Sequence, residues 1–206
     1  MSTYTVLAEP IEHSLTEKNS EFLTFLQPIK DREQAMQWVQ HYRERYKDAA
    51  HVCWAYIIGN TRQPQTQAFS DDGEPNGTAG KPMLHVLTER ELGNSLAVVV
   101  RYFGGIKLGA GGLVRAYSAA VSQATQLATL TAISPQVQLN ISTDFAFEAR
   151  VRQLLAQYGG ELLSTEYQQS VLLSLLLPAE SSDAFAQQLR NLSAGAIQIT
   201  SPDSGN

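Results

Sequence analysis

A single cysteine, Cys53, stands in the whole chain of 206 residues. No internal disulfide can form from it, and no cage of thiolates can hold a metal. No run of about 18 apolar residues is available to cross a bilayer, and no basic segment followed by an apolar core opens the chain. The expectation is a protein without a membrane span or signal peptide, resident in the cytoplasm. Positive charge is in short supply: 15 lysines and arginines face 20 aspartates and glutamates, a formal net charge of −5. That balance excludes coating of nucleic acid by bulk electrostatics, so any anion must be met by a local basic cluster. Familiar catalytic signatures are missing as well, with no Gly-x-Ser-x-Gly elbow and no His-Glu-x-x-His segment. His51 and Cys53 would lie side by side on one strand face, but no third group to orient them can be named, and a lone cysteine reads as core.

What is present is the composition of a folded chain, 43% hydrophobic and 17% charged, long enough for one large domain or two small ones. It is organised around residues 69–117, which hold two irregular turns. The first, residues 70–82, is acidic through Asp71, Asp72 and Glu74 and ends in Lys81-Pro82. The second, residues 101–115, carries Gly104, Gly105, Gly109, Gly111 and Gly112 between an apolar run at 96–100, which favours a strand, and an alanine-rich run at 116–130, which favours a helix.

Neither standard nucleotide loop is present in the glycine turn. Gly104 and Gly109 have the spacing of a phosphate-binding loop but are followed by Ala110-Gly111 where Lys-Ser/Thr is needed, and a dinucleotide fingerprint begun at Gly109 meets Val114 in place of its third glycine. Two readings stand open. The helix start, beside Lys107 and Arg115, could cradle a phosphate or carboxylate, or the glycines could simply let the helix pack tightly. In the acidic turn a calcium loop fails because the glutamate position falls on Pro82, so the aspartates read as acceptors for local backbone N–H groups rather than as metal ligands.

Periodicity predicts strands at 3–7 and 22–26 around a polar turn at 12–19, then a helix capped by Asp31, with Gln34 at its third position and Ala35, Val39, Tyr42 and Tyr46 on one face. A central strand follows at 51–58, a turn or loop at 62–66, a helix opened by Pro82 and stopping near Gly93, the strand at 96–101 and the helix at 116–130. A domain boundary falls at 131–135, giving domains 1–134 and 135–206. The second domain reads as strand 137–142, helix 147–158, strands 161–167 and 170–177, helix 181–193 and strand 195–200, the βαββαβ order of a ferredoxin-like sandwich. The fold class is α+β.

The segments Phe69-Ser70-Asp71-Asp72-Gly73-Glu74-Pro75-x-Gly77-Thr78-Ala79-Gly80-Lys81-Pro82 and Val100-Arg101-Tyr102-Phe103-Gly104-Gly105-x-x-Leu108-Gly109-x-Gly111-Gly112-Leu113-x-Arg115-Ala116-Tyr117 resemble the signature of the IMPACT family. The chain is similar to that family's bacterial YigZ-type members, also through Lys18-x-Ser20-x-Phe22 and His51-x-Cys53-x-Ala55, although Glu21 stands where relatives often carry a basic residue. The resemblance implies a first domain like the second domain of small-subunit ribosomal protein five. With the ferredoxin-like second domain, it would be similar to the last two domains, IV and V, of elongation factor G. Eukaryotic relatives regulate translation initiation under stress by competing for an activator of an initiation-factor kinase, through a further domain fused to the shared one. For a bacterial-type member the resemblance implies contact with RNA, the ribosome or a translation protein, with no assigned reaction and no cofactor.

The expected activity is therefore non-enzymatic regulation of translation. The docking residues would be Asp71, Asp72, Glu74, Lys81, Arg101, Tyr102, Gly104, Gly105, Lys107, Gly111, Gly112 and Arg115, with Arg101, Lys107 and Arg115 meeting phosphates or acidic side chains. The alternative is an enzyme or phosphate-binding protein that uses the same turns, with Asp71 or Asp72 as acid or base.

Overall fold

The computed structural model describes residues 3–193 and 195–201; the outermost residues of the two expected domains, 1–2 and 202–206, lie outside the described residues. In chain order the elements are β1 (Tyr4–Leu7), β2 (Ile11–Glu17), β3 (Ser20–Pro28), α1 (Arg32–Arg45), β4 (His51–Asn60), β5 (Gln63–Ser70), α2 (Gly80–Glu89), β6 (Ser95–Tyr102) and α3 (Gly109–Leu127). They continue with β7 (Leu130–Ile133), β8 (Gln136–Thr143), α4 (Phe145–Gln157), β9 (Glu161–Tyr167), β10 (Val171–Pro178), α5 (Ser182–Leu192) and β11 (Gln198–Thr200). Two compact units result, Tyr4–Ile133 and another from Ser134 onward.

The first unit is built on a five-stranded sheet in the order β2-β3-β6-β4-β5, antiparallel throughout. Its middle strands are apolar on both faces because both faces are covered. Val98 and Val100 of β6 join α1 through Val39 and Tyr42, while Ala97 and Val99 join α2 and α3 through Met83, Leu87, Tyr117 and Ala120. Helix α1 starts as its sequence predicts, with the Asp31 carboxylate accepting the Gln34 N–H at 2.8 Å. Strands β1 and β7 pair as a separate antiparallel ribbon.

Three expectations are corrected. The polar turn predicted at 12–19 is mostly strand β2, and only Lys18 and Asn19, both at positive φ (46° and 63°), make the hairpin turn to β3. The loop predicted at 62–66 belongs to the hairpin of β4 with β5. Both strands lie at sheet edges, where pairing with an inner neighbour supplies what weak β propensity does not. Helix α3 begins at Gly109, inside the glycine turn, and stops at Leu127, after which Leu130–Ile133 turns extended to pair with β1. Burial of Leu113, Ala116, Tyr117 and Ala120 outweighs the roughly 1 kcal/mol that each helical glycine costs.

In the second unit the strand order β11-β8-β10-β9, antiparallel throughout, is that of the split βαβ arrangement predicted from the sequence. Alternate residues of β10, Val171, Leu173, Leu175 and Leu177, pack with Val151, Leu154 and Leu155 of α4 and with Phe185 and Leu189 of α5. Gly159, at φ +67°, turns the chain out of α4.

Candidate functional site

Strand β4 runs antiparallel to both of its neighbours, so β5 and β6 point the same way and deliver their C-terminal ends to one end of the sheet. The acidic turn leaves β5 there and the glycine turn leaves β6. His51, the first residue of β4, lies beside both, since it is the register partner of Arg101 and its Nδ1 lies 2.8 Å from the Asp72 carbonyl.

The acidic turn is held by its own aspartates. Asp71 Oδ1 accepts the N–H groups of Ala79 (3.0 Å) and Gly80 (2.8 Å), and Oδ2 accepts that of Gly77 (2.8 Å). It thereby caps α2, whose N-cap residue Ala79 has no side-chain acceptor to offer. Asp72, at φ +42°, accepts the Val52 N–H through Oδ2 at 2.8 Å and pairs with Arg43 through Oδ1 at 2.9 Å. The hydrogen-bonded turn predicted from the sequence accounts for both residues, each carboxylate oxygen of which accepts at least one bond from the protein.

Glu74 behaves differently. Its side chain is 3% exposed, and Oε1 accepts from Arg101 Nη1 at 2.6 Å and from the Tyr117 hydroxyl at 2.7 Å, while Oε2 lies 3.8 Å from His51 Nε2. Cys53 Sγ sits 2.9 Å from the Asp71 carbonyl oxygen and 3.4 Å from the Tyr117 hydroxyl. Burial, above all, pushes the Cys53 thiol up to about 12 from 9.0 and raises the Tyr117 hydroxyl above its usual 10.0, with Glu74 adding to both. Cys53 is therefore a neutral core residue and not a nucleophile.

Above pH 9 the unfolded chain can release the Cys53 proton while the folded chain cannot, so stability is complete below pH 9 and declines as pH rises toward 12. At pH 10.5 this thiol alone should cost about 2 kcal/mol. Urea unfolding at pH 8 and at pH 10.5 checks it: Cys53→Ala should remove the loss that begins near pH 9 and keep the one that Tyr117 adds above 10.

Arg101 was expected at the face of the glycine turn. It is the inward residue that follows Ala97 and Val99 along β6, its side chain is 7% exposed, and its charge is spent on Glu74. The guanidinium carbon lies 5.6 Å from the Phe22 ring centroid and 5.7 Å from that of Phe103, and Nε finds no acceptor among the described residues. Past it, Gly104 passes so close to the β2–β3 hairpin that a Cβ would stand 2.0 Å from the Asn19 carbonyl group. Gly105 and Gly109 take positive φ, 85° and 74°. Gly111 is different, because a Cβ there would meet only the end of Arg115 at 3.6 Å. Helix α3 starts after Leu108 without a side-chain cap, and among the described residues its first N–H groups have no side-chain partner.

The two turns meet in one pocket of about 290 Å³. Glu74 and Arg101 line it with His51, Pro75, Phe103 and Lys107, and Gly109 and Ala110 bring the start of α3 to its wall. Lys107 is exposed and forms no ion pair among the described residues. Other expected site residues lie elsewhere. Tyr102 donates its hydroxyl to Asp48 at 2.9 Å, Lys81 is exposed on α2, and Arg115 lines a neighbouring hollow of about 260 Å³ with Lys18 and Gly112. Residue patterns missed Phe103, His51 and Pro75 as pocket residues. For Phe103 a signal existed, since it is the aromatic residue immediately before two glycines.

Residues 18–125 match the Impact N-terminal domain, and the chain is 38% identical to the IMPACT family member YigZ of Escherichia coli over 97% of its own length and 98% of that protein's. The chain belongs to the IMPACT family. Both turns and the pocket between them fall inside the matched stretch. The family's Protein IMPACT of Homo sapiens is 33% identical over 105 residues, 48% of this chain and 32% of the human protein. Residues 141–196 match a domain of unknown function, DUF1949. Among solved structures, the crystal structure of a hypothetical protein covers the whole of both chains with 36% identity and a TM-score of 0.69.

Proposed function

We propose that this IMPACT family member is a non-enzymatic, cytoplasmic regulator of translation, acting at initiation or under stress by docking on RNA, the ribosome or a translation protein through residues 70–82 and 101–115. The observation that carries this reading is the pocket where the two turns converge, lined in an otherwise acidic protein by Lys107, which forms no ion pair among the described residues. Lys107 and Arg115 meet the partner, and Glu74 with Arg101 holds the floor rigid. The role in translation that the family resemblance implies supports the class of function. The reading is in keeping with a domain 1–134 like the second domain of small-subunit ribosomal protein five which, with domain 135–206, would be similar to domains IV and V of elongation factor G. If Lys107 and Arg115 each contact a phosphate, affinity for ribosomes should fall about sevenfold between roughly 50 and 200 mM salt. Co-sedimentation across that series measures it, and binding absent even at the lowest salt counts against docking.

A second reading has the same pocket holding a phosphorylated small molecule, favoured by its size and by the uncapped start of α3. It requires a rise in melting temperature with one member of a nucleotide and phospho-metabolite panel.

A further inference from the structure

We propose that the pocket between the turns seats one nucleotide of single-stranded RNA, its base against the open side of Phe103 and its phosphate at Lys107 and the start of α3. The inference rests on the docking reading above and narrows it to one chemistry. Phe103 lines the pocket and is 53% exposed, and the Arg101 guanidinium lies 5.7 Å from its ring centroid, so the ring has a cation at one side and about half of its surface open. An aromatic platform next to cations is what an unstacked base binds.

The anion half has independent support. Arg101 lines the pocket, more than nine-tenths buried, and gives Nη1 to Glu74; its enclosed Nε has no acceptor among the described residues, so one guanidinium N–H remains unmatched beside the pocket. Helix α3, 19 residues long, brings Gly109 and Ala110 to the same wall with no side-chain cap, and Lys107 adds an unpaired charge. A volume of about 290 Å³ suits one base and not a stack. The net charge of −5 repels a long polyanion, which also favours a contact limited to one or two nucleotides. Duplex RNA keeps its bases paired and cannot offer one to Phe103.

Fluorescence anisotropy on the full chain at low salt, with dye-labelled hexauridylate and hexaadenylate and a dye-labelled, G·C-rich RNA hairpin as the duplex, tests this. Both single strands should bind, the duplex should bind at least about tenfold more weakly, Phe103→Ala should weaken single-strand binding about 5- to 100-fold, and Phe103→Tyr should restore it. Because Phe103 is exposed, urea unfolding of Phe103→Ala should match the wild type, separating lost stacking from lost fold. Equal binding of duplex and single strands, or a Phe103→Ala chain that binds as the wild type does, overturns the inference. Oligonucleotides that fail to bind while ribosomes still co-sediment overturn the nucleotide seat and leave docking on a protein; failure of both removes the docking reading too.

Discussion

Glu74→Ala should destabilise the first unit by about 3–5 kcal/mol, the largest loss expected of any single change at the site. Glu74 and Arg101 are 8% and 6% exposed, and the carboxylate is the acceptor for both the guanidinium and the Tyr117 hydroxyl. Removing it leaves a positive charge between Phe22 and Phe103 with no counter-ion, together with an unpaired phenol. The intact pair itself is close to neutral in net worth, because desolvation of two ions offsets most of their attraction. Replacing both members, Glu74→Gln with Arg101→Met, should therefore cost less than either Glu74→Ala or Arg101→Ala alone. Urea unfolding of the two single variants and the double variant reads this directly. Single losses below about 1 kcal/mol, or strictly additive ones, would show that the pair is solvated in solution.

Gly104→Ala is the second large effect, about 3 kcal/mol or a fall in melting temperature of roughly 10 °C. Strain in φ is not the cause, since Gly104 is not among the positive-φ glycines. The cause is space: the new methyl would lie 2.0 Å from the Asn19 carbonyl carbon and oxygen and 2.4 Å from the Ser20 nitrogen, all backbone atoms that cannot rotate aside. Relief requires the β2–β3 hairpin and the glycine turn to separate, which would break the Gly104 N–H bond to Ser20 Oγ at 3.2 Å and move Phe103 next door. Gly111→Ala serves as the contrast. A Cβ there meets only the flexible end of Arg115, and alanine is the better helix former, so thermal unfolding should show Gly111→Ala unchanged or up to about 1 kcal/mol more stable. Equal losses at the two positions would contradict the packing assigned to Gly104.

Elements with strong local signals were legible: the Asp31 cap of α1, the doubly apolar strands β4 and β6, and the alternating strand and helix patterns of the second unit. Edge strands were not, because β2 has only Ile11 and Leu15 as apolar residues and β5 is rich in glutamine; their pairing partners define them. At the site, the presence of two irregular turns was plain from their glycines and acids, but their convergence depends on β4 lying between β5 and β6, which no local pattern encodes. The placement of Arg101 could have been found. Strand alternation through Ala97 and Val99 puts it on the inward face, where a charge requires a buried partner.

Docking through the two turns is tested most directly by charge reversal at the rim against an added negative charge on the opposite face of the sheet. Lys107→Glu changes the pocket rim, whereas Gln40→Glu changes the exposed side of α1 by a similar exposed negative charge. In ribosome co-sedimentation at about 50 mM salt, Lys107→Glu should lower binding at least about fivefold and flatten the salt dependence by close to one contact, while Gln40→Glu stays within about twofold of wild type. Equal binding by all three proteins would contradict docking through these turns.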